Sequence, residues 1–365
     1  MTGIASLGVV VNPIAGMGGR VGLHGTDGAT LAEAVQSGAE PVAPARARRA
    51  LDRLRELMPA LSVLTVAGPM GGDLMPNGWS VELVTHPSSG PTTAADTRSA
   101  VAAMVDRGVQ LILFGGGDGT ARDVAAVTGL AVPIIGAPCG VKMHSGVFAI
   151  GPEAAGEAGA RFLTRPGAVG QAEILDADAD GARLFSIASV PQLAGALQSP
   201  KVAGSTAADG DLVGLGRAIA AEMRPGRMYL LGPGTTVASV SEALGIPASI
   251  RGVDVVIDGA VVATDAGERE LLGLLVDHPA ASLVLGVVGG QGFLFGRGNQ
   301  QLSAEVLQAV GPGNIEIIAD AGKVAALNPP VLRIDLDDCR VREQLTGYRT
   351  VRTSRRRSTV LRVVA

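Results

Sequence analysis

Aromatic side chains are scarce in this chain. Phe, Trp and Tyr make up 2% of its 365 residues, too few to build the stacking platforms on which single-stranded nucleic acids are bound. There are two cysteines, Cys139 and Cys339. They fit a reduced cytoplasm better than a disulfide scaffold. Together with four scattered histidines they form no zinc-type ligand spacing, so no resident metal site is expected from them. A net charge of −4 speaks against a general nucleic-acid partner. Uninterrupted apolar runs long enough for a membrane helix are lacking, because Gly and Pro break the best candidates, such as 281–295. No positive region precedes the first apolar stretch, which reads as a strand and not a signal peptide.

Hydrophobic residues are plentiful at 47%, and Gly, at 52 residues, is far above ordinary use. The length suggests two domains. Short apolar runs alternate with amphipathic segments from residue 4 to about 136. Strands are expected at 4–11, 62–66, 80–84, 109–114 and 132–136, and helices at 46–58, 93–107 and 121–128. This alternation predicts an α/β fold with a doubly wound parallel sheet in the N-terminal domain. A β-hairpin is expected around Asp178-Ala179-Asp180-Gly181, followed by a second α/β domain. The expected domains are 1–150 (nucleotide-binding α/β), 151–330 (substrate-binding, hairpin plus α/β) and 331–365 (C-terminal strand and basic tail). In that tail Arg349, Arg352, Arg355, Arg356, Arg357 and Arg362 read as a solvated basic strand more readily than as a phosphate-facing patch.

The element richest in chemistry is Gly115-Gly116-Gly117-Asp118-Gly119-Thr120, set between a clean apolar strand and a helix. Gly116, Gly117 and Gly119 let the backbone approach a phosphate and aim successive N–H groups at it. The helix start adds partial positive charge. Thr120 can cap the helix or donate to a phosphate oxygen. Asp118 would repel phosphate unless it met Mg²⁺ or a proton donor, which makes it a candidate general base or metal-binding carboxylate. A plain strand-end turn is the bland alternative. The turn is not a Walker A loop, for no Gly-Lys-Ser/Thr is present.

Other glycine-rich turns join it. After the first strand come Asn12, Gly16, Gly18 and Gly19, a candidate nucleotide loop. Gly232-Pro233-Gly234-Thr235-Thr236 is a second strand–turn–helix passage, either an anion cradle built on Gly232, Gly234, Thr235 and Thr236 or a tight turn with Thr caps. In the segment 296–301, Arg297 could fork onto a phosphate, and Asn299 and Gln300 could read an amide or adenine edge. Lys142 could bind phosphate as a point charge. His144, two residues on, is more often a satisfied polar residue than a catalyst.

Gly116-Gly117-Asp118-Gly119-Thr120 resembles the signature of the superfamily that joins NAD kinases with diacylglycerol and sphingosine kinases. Asn12-Pro13 with Gly16-Met17-Gly18-Gly19 is similar to the Asn-Pro-x-x-Gly loop of the lipid-kinase branch. Pro138-Cys139-Gly140 is similar to the Pro-x-Gly that opens its next phosphate-side loop. The nearest resemblance is to the predicted ATP-NAD kinase group that includes the acetoin-catabolism X proteins, through 12–28 and 292–300. The resemblance implies ATP and Mg²⁺ as cofactors, NAD as substrate, Asp118 as the base acting on the ribose 2′-hydroxyl, and Gly140 among the phosphate-side residues. Arg122-Asp123 stands where NAD kinases carry Asn-Glu; Asp123 can keep the acid's role, whereas Arg122 cannot accept as Asn does.

The expected function is therefore a cytoplasmic kinase moving a phosphoryl group from ATP or polyphosphate to NAD. The expected partners are small-molecule nucleotides, with neither nucleic acid nor membrane, and a homo-oligomer is expected. Kinases of another hydroxyl compound or lipid, and a non-catalytic NAD(H) or ATP sensor, are the alternatives. An oxidoreductase fits poorly, since no Gly-x-Gly-x-x-Gly follows the first strand.

Overall fold

The computed structural model describes residues 6–23, 29–88, 90–141, 143–178, 181–193, 195–198, 209–247, 249–288 and 291–365. The chain divides into two compact units. One comprises 1–17, 25–31 and 40–200, and the other 18–24, 32–39 and 201–365. The last segment of the first unit runs to residue 200 and includes the hairpin.

The first unit opens with strand β1 (Ser6–Val11). Helix α1 (Ala29–Gln36) follows, most of it counted with the second unit. Then come α2 (Ala43–Leu57), β2 (Ser62–Val66), β3 (Ser80–Thr85), α3 (Ala94–Asp106), β4 (Leu111–Gly116), α4 (Asp118–Thr128), β5 (Ile134–Pro138) and α5 (Pro152–Thr164). The five strands lie in the order β3-β2-β1-β4-β5 and every pairing is parallel. This is the α/β architecture that the apolar runs imply.

The pleat sends alternate residues to opposite faces. Leu7, Val9 and Val11 of β1 and Leu111 and Leu113 of β4 pack with Ala47, Leu51 and Leu54 of α2 and with α5. Val10, Ile112 and Phe114 face the other way, onto Val101 and Met104 of α3 and Val124 of α4. Helix α3 begins at a capping box: the Thr93 hydroxyl accepts from Asp96 N–H, and Asp96 accepts from Thr93 N–H. The hairpin strands β6 (Val169–Asp178) and β7 (Gly181–Pro191) are antiparallel, with a bulge at Ile174/Leu175. Ile174, Ala188 and Val190 close the α3/α4 face of the core. Two residues of the expected hairpin turn, Ala179 and Asp180, lie outside the described residues.

The second unit carries α6 (Asp209–Glu222), β8 (Met228–Leu231), α7 (Thr235–Leu244), β9 (Asp254–Ile257), β10 (Ala260–Ala263), α8 (Glu268–Asp277), β11 (Ala281–Gly286), β12 (Phe293–Phe295) and α9 (Ala304–Val310). It ends with β13 (Ile315–Ile318), α10 (Ala321–Ala325), β14 (Val331–Ile334), α11 (Cys339–Leu345), β15 (Gly347–Arg352) and β16 (Ser358–Val364). Its nine strands form one mixed sheet in the order β10-β9-β8-β11-β13-β15-β16-β14-β12.

The C-terminal segment is thus no tail: β15 and β16 pair in the interior of that sheet. Arg352 donates to Glu222 and Glu316, and its guanidinium lowers the Glu222 carboxyl. Arg349 donates to the carbonyls of Gln344 and Leu345. Arg355, Arg356 and Arg357 lie exposed in the connecting turn. Among the described residues no helix is long and apolar enough to cross a membrane.

Candidate functional site

In an open parallel sheet a crevice forms where the strand order reverses, outside the carboxyl ends of the strands. Here the reversal lies between β1 and β4. Val11, the last residue of β1, pairs with Gly115, and Gly116 pairs with Pro138 at the end of β5. Three turns therefore leave the sheet side by side: 12–17 after β1, Gly117 after β4, and 139–150 after β5.

The turns are joined by short bonds. Asn12 N–H donates to the Gly115 carbonyl at 2.9 Å, and Asn12 Nδ2 donates to Thr120 Oγ1 at 3.2 Å. The Gly116 carbonyl accepts from both Cys139 N–H and Gly140 N–H. A Cβ on Gly140 would stand 2.7 Å from Gly117 Cα, so neither turn has room for a side chain where they cross. Gly16 has φ +79°, and a Cβ there would lie 2.0 Å from the Cys139 carbonyl oxygen. Only glycine satisfies both conditions. Arg46, buried in α2, donates from Nε to the Pro138 carbonyl at 2.6 Å and holds the end of β5.

Helix α4 begins at Asp118, three residues before the expected 121. Gly117 takes the N-cap position in extended conformation, and Ala121 N–H makes the first intrahelical bond, to the Gly117 carbonyl. The glycine signature is thus the first turn of the helix. The N–H groups of Asp118, Gly119 and Thr120 precede that first bond, which is the arrangement that favours an anion.

Asp118 does not project freely. Its Oδ2 accepts from His144 N–H at 2.8 Å and lies 3.2 Å from His144 Nδ1. Its Oδ1 accepts from Ser145 N–H at 3.0 Å and from Ser145 Oγ at 2.6 Å. The side chains of Asp118 and His144 are each 10% exposed. Ser145 Oγ also accepts from Leu175 N–H on β6, and Gln198 Nε2 donates to the carbonyls of Met143 and Ser145. The far end of the 139–150 loop is pinned where Phe148 bridges Gly136 and meets the Phe114 ring edge-on.

Of the residues expected to form the site, Asn12, Gly16, Gly116, Gly117, Asp118, Gly119, Thr120 and Gly140 converge here. Gly140 N–H donates to the Gly116 carbonyl at 3.1 Å. Asp123 lies five residues along the helix from Asp118, roughly 140° round the axis, and accepts from Arg98 of α3 at 2.7 Å. Lys142 lies outside the described residues.

The remaining expected residues belong to the second unit. Gly18 and Gly19 are part of it, Gly19 against the Gln300 side chain. Gly232, Gly234 and Thr235 lead into α7, where Lys323 Nζ donates to the buried Thr236 hydroxyl at 2.9 Å. Arg297 is buried, forms an ion pair with Asp335, and stacks 4.3 Å over the Phe293 ring. Asn299 accepts from Gly296 N–H and donates to the Leu294 carbonyl, and Gln300 donates to the Gly296 carbonyl.

Arg46, Ser145 and Gln198 are the structural contributors that sequence reading missed. Only the nearness of Ser145 to Pro138-Cys139-Gly140 could have pointed to it. Residues 7–166 match the family model of the ATP-NAD kinase N-terminal domain. No curated protein and no solved structure matches the chain.

Proposed function

From the match of residues 7–166 to the ATP-NAD kinase N-terminal domain, we propose that the protein transfers a phosphoryl group from ATP, or from polyphosphate, to the 2′-hydroxyl of the adenosine ribose of NAD. The observation that carries the reading is the place of Asp118. It opens a helix at the reversal point of a parallel sheet, among glycines that leave the backbone bare.

Phosphoryl transfer asks a protein mainly for positioning and for charge neutralisation. The first-turn amides of α4 supply a phosphate-facing end, and Thr120, with its oxygen held by Asn12, keeps its proton to donate. The Asp118 pair with His144 supplies a place for the proton of the accepting hydroxyl. Mg²⁺ is the metal this reading calls for, carried on the nucleotide phosphates, the usual habit of this ion.

The test is incubation of the full chain with ATP, Mg²⁺ and a panel of NAD, NADH and simple polyols. NADP formation that is lost in Asp118→Asn is the expected result. Phosphate on a different acceptor would transfer the reading to another kinase substrate. A second reading, a nucleotide-binding protein without turnover, is favoured by the four bonds that already occupy the Asp118 carboxylate. Tight NAD or ATP binding with no labelled product would select it.

A further inference from the structure

We propose that His144 is the proton acceptor in this transfer, taking the hydroxyl proton at Nε2, and that Asp118 is its orienting partner. The inference rests on the kinase reading above and changes which atom receives the proton.

An ionised carboxylate offers about four lone-pair positions, two on each oxygen. In Asp118 each oxygen already has two donors, from His144 and Ser145. To take a proton from a substrate, Asp118 would first have to give up one of them. The donors are not loose. Two are main-chain N–H groups of consecutive residues, and the third is a hydroxyl that also accepts from Leu175 N–H. The loop that carries them is held at Met143 and Ser145 by Gln198. The arrangement is a rigid socket for a carboxylate, and a carboxylate in a socket orients its neighbour.

That neighbour is an imidazole. A carboxylate only accepts, so the ring nitrogen beside it, Nδ1, carries the hydrogen. The tautomer then leaves the lone pair on Nε2. Among the described residues Asp118 is the imidazole's hydrogen-bond partner, and it also stabilises the imidazolium that forms when Nε2 is protonated. A base held in one tautomer by a buried carboxylate is the logic by which an imidazole accepts a proton from a hydroxyl nucleophile.

The step balances as follows. The acceptor oxygen forms a bond to the terminal phosphorus of a nucleoside triphosphate. The bond from that phosphorus to the bridging oxygen breaks, and its electron pair leaves with the diphosphate. The hydroxyl proton passes to Nε2 and later returns to water, while Nδ1–H stays on Asp118.

The discriminating variant is His144→Asn in the full chain. Its amide nitrogen can replace Nδ1–H toward Asp118, but nothing replaces Nε2. The expected result is a fall in kcat of about 10²–10⁴-fold with KM for ATP and NAD changed less than about threefold. Trp79 fluorescence should match that of the unaltered protein. In His144→Gly, added imidazole should restore part of the rate. A His144→Asn protein that keeps kcat within about threefold of the unaltered enzyme would overturn the proposal and leave the kinase reading intact. An unaltered protein that phosphorylates no acceptor at all would refute both. Should His144→Asn fail to fold, ¹⁵N spectra of the histidines in the unaltered chain decide the matter. Hydrogen on Nδ1 of His144 supports the proposal, and hydrogen on Nε2 with a bare Nδ1 overturns it.

Discussion

Replacing Ser145 by Ala removes one oxygen atom and two hydrogen bonds. Ser145 is fully buried. Its hydroxyl donates to the Asp118 carboxylate at 2.6 Å and accepts from Leu175 N–H at 3.0 Å. Leu175 sits at the bulge of β6, where the ladder changes register, and the hydroxyl takes the N–H that the ladder drops. A hydrogen bond to a charged group contributes about 1.5–3 kcal/mol, and a buried donor left without an acceptor costs about 1–3 kcal/mol. The two losses share one atom and do not add fully, so about 3 kcal/mol is expected, with about 2–5 kcal/mol as the bracket. The assay is urea unfolding followed by tryptophan fluorescence. The chain has one tryptophan, Trp79, buried in the first unit with its indole N–H on the Met58 carbonyl, so the signal arises within that unit. With a slope of about 1–3 kcal/mol per molar urea, the midpoint should drop by roughly 1–3 M. A loss below about 0.5 kcal/mol, the size of an ordinary surface substitution, would refute the claim that this hydroxyl links the Asp118 socket to the hairpin.

Two further outcomes follow from buried charge. Arg297→Met leaves Asp335 buried beside an apolar side chain and should cost about 3–5 kcal/mol, read as a lowered thermal midpoint. Arg297→Met combined with Asp335→Leu should recover most of that loss, and no recovery would mean the pair is not the source. Asp96 is held well below the usual carboxylate range by the hydroxyls of Ser88 and then Thr93, with their main-chain N–H groups adding to the effect. Because the folded value is lowered, the stabilisation is complete above the unfolded carboxylate value of about 4 and drains away as pH falls toward the folded one. Asp96→Asn should therefore cost about 1–3 kcal/mol at pH 7 and distinctly less near pH 3, by Trp79 unfolding at both. An equal cost at the two pH values would contradict the assignment.

Much of the first unit was legible in sequence because its signals are local. Buried parallel strands are short apolar runs, and β1, β2 and β4 lie where such runs stand. Thr93 and Asp96 announce a helix start three residues apart. The start of α4 was misplaced by three residues because Gly-Asp-Gly-Thr reads as turn chemistry, whereas Gly117 had already served as the cap. The socket around Asp118 could not be read, since Ser145, Leu175 and Gln198 come together only through the return of the hairpin onto the sheet. In the second unit Arg297 between glycines looked like an anion fork, and only tertiary packing discloses Asp335 and Phe293 as its partners. At the basic C-terminus Arg355, Arg356, Arg357 and Arg362 are exposed, as a solvated strand requires; the pairing of Arg352 with distant Glu222 and Glu316 left no mark in the composition.

The hairpin's hold on the 143–145 loop bears on the order in which the chain acquires its chemistry during synthesis. The signature glycines and Asp118 emerge early, and the last of the five parallel strands ends at Pro138. The fastenings of the carboxylate's partners arrive later, Leu175 on β6 and then Gln198. A nascent or clipped chain ending at 166 would therefore carry the whole recognisable domain and still lack the scaffold that fixes its proton-handling pair.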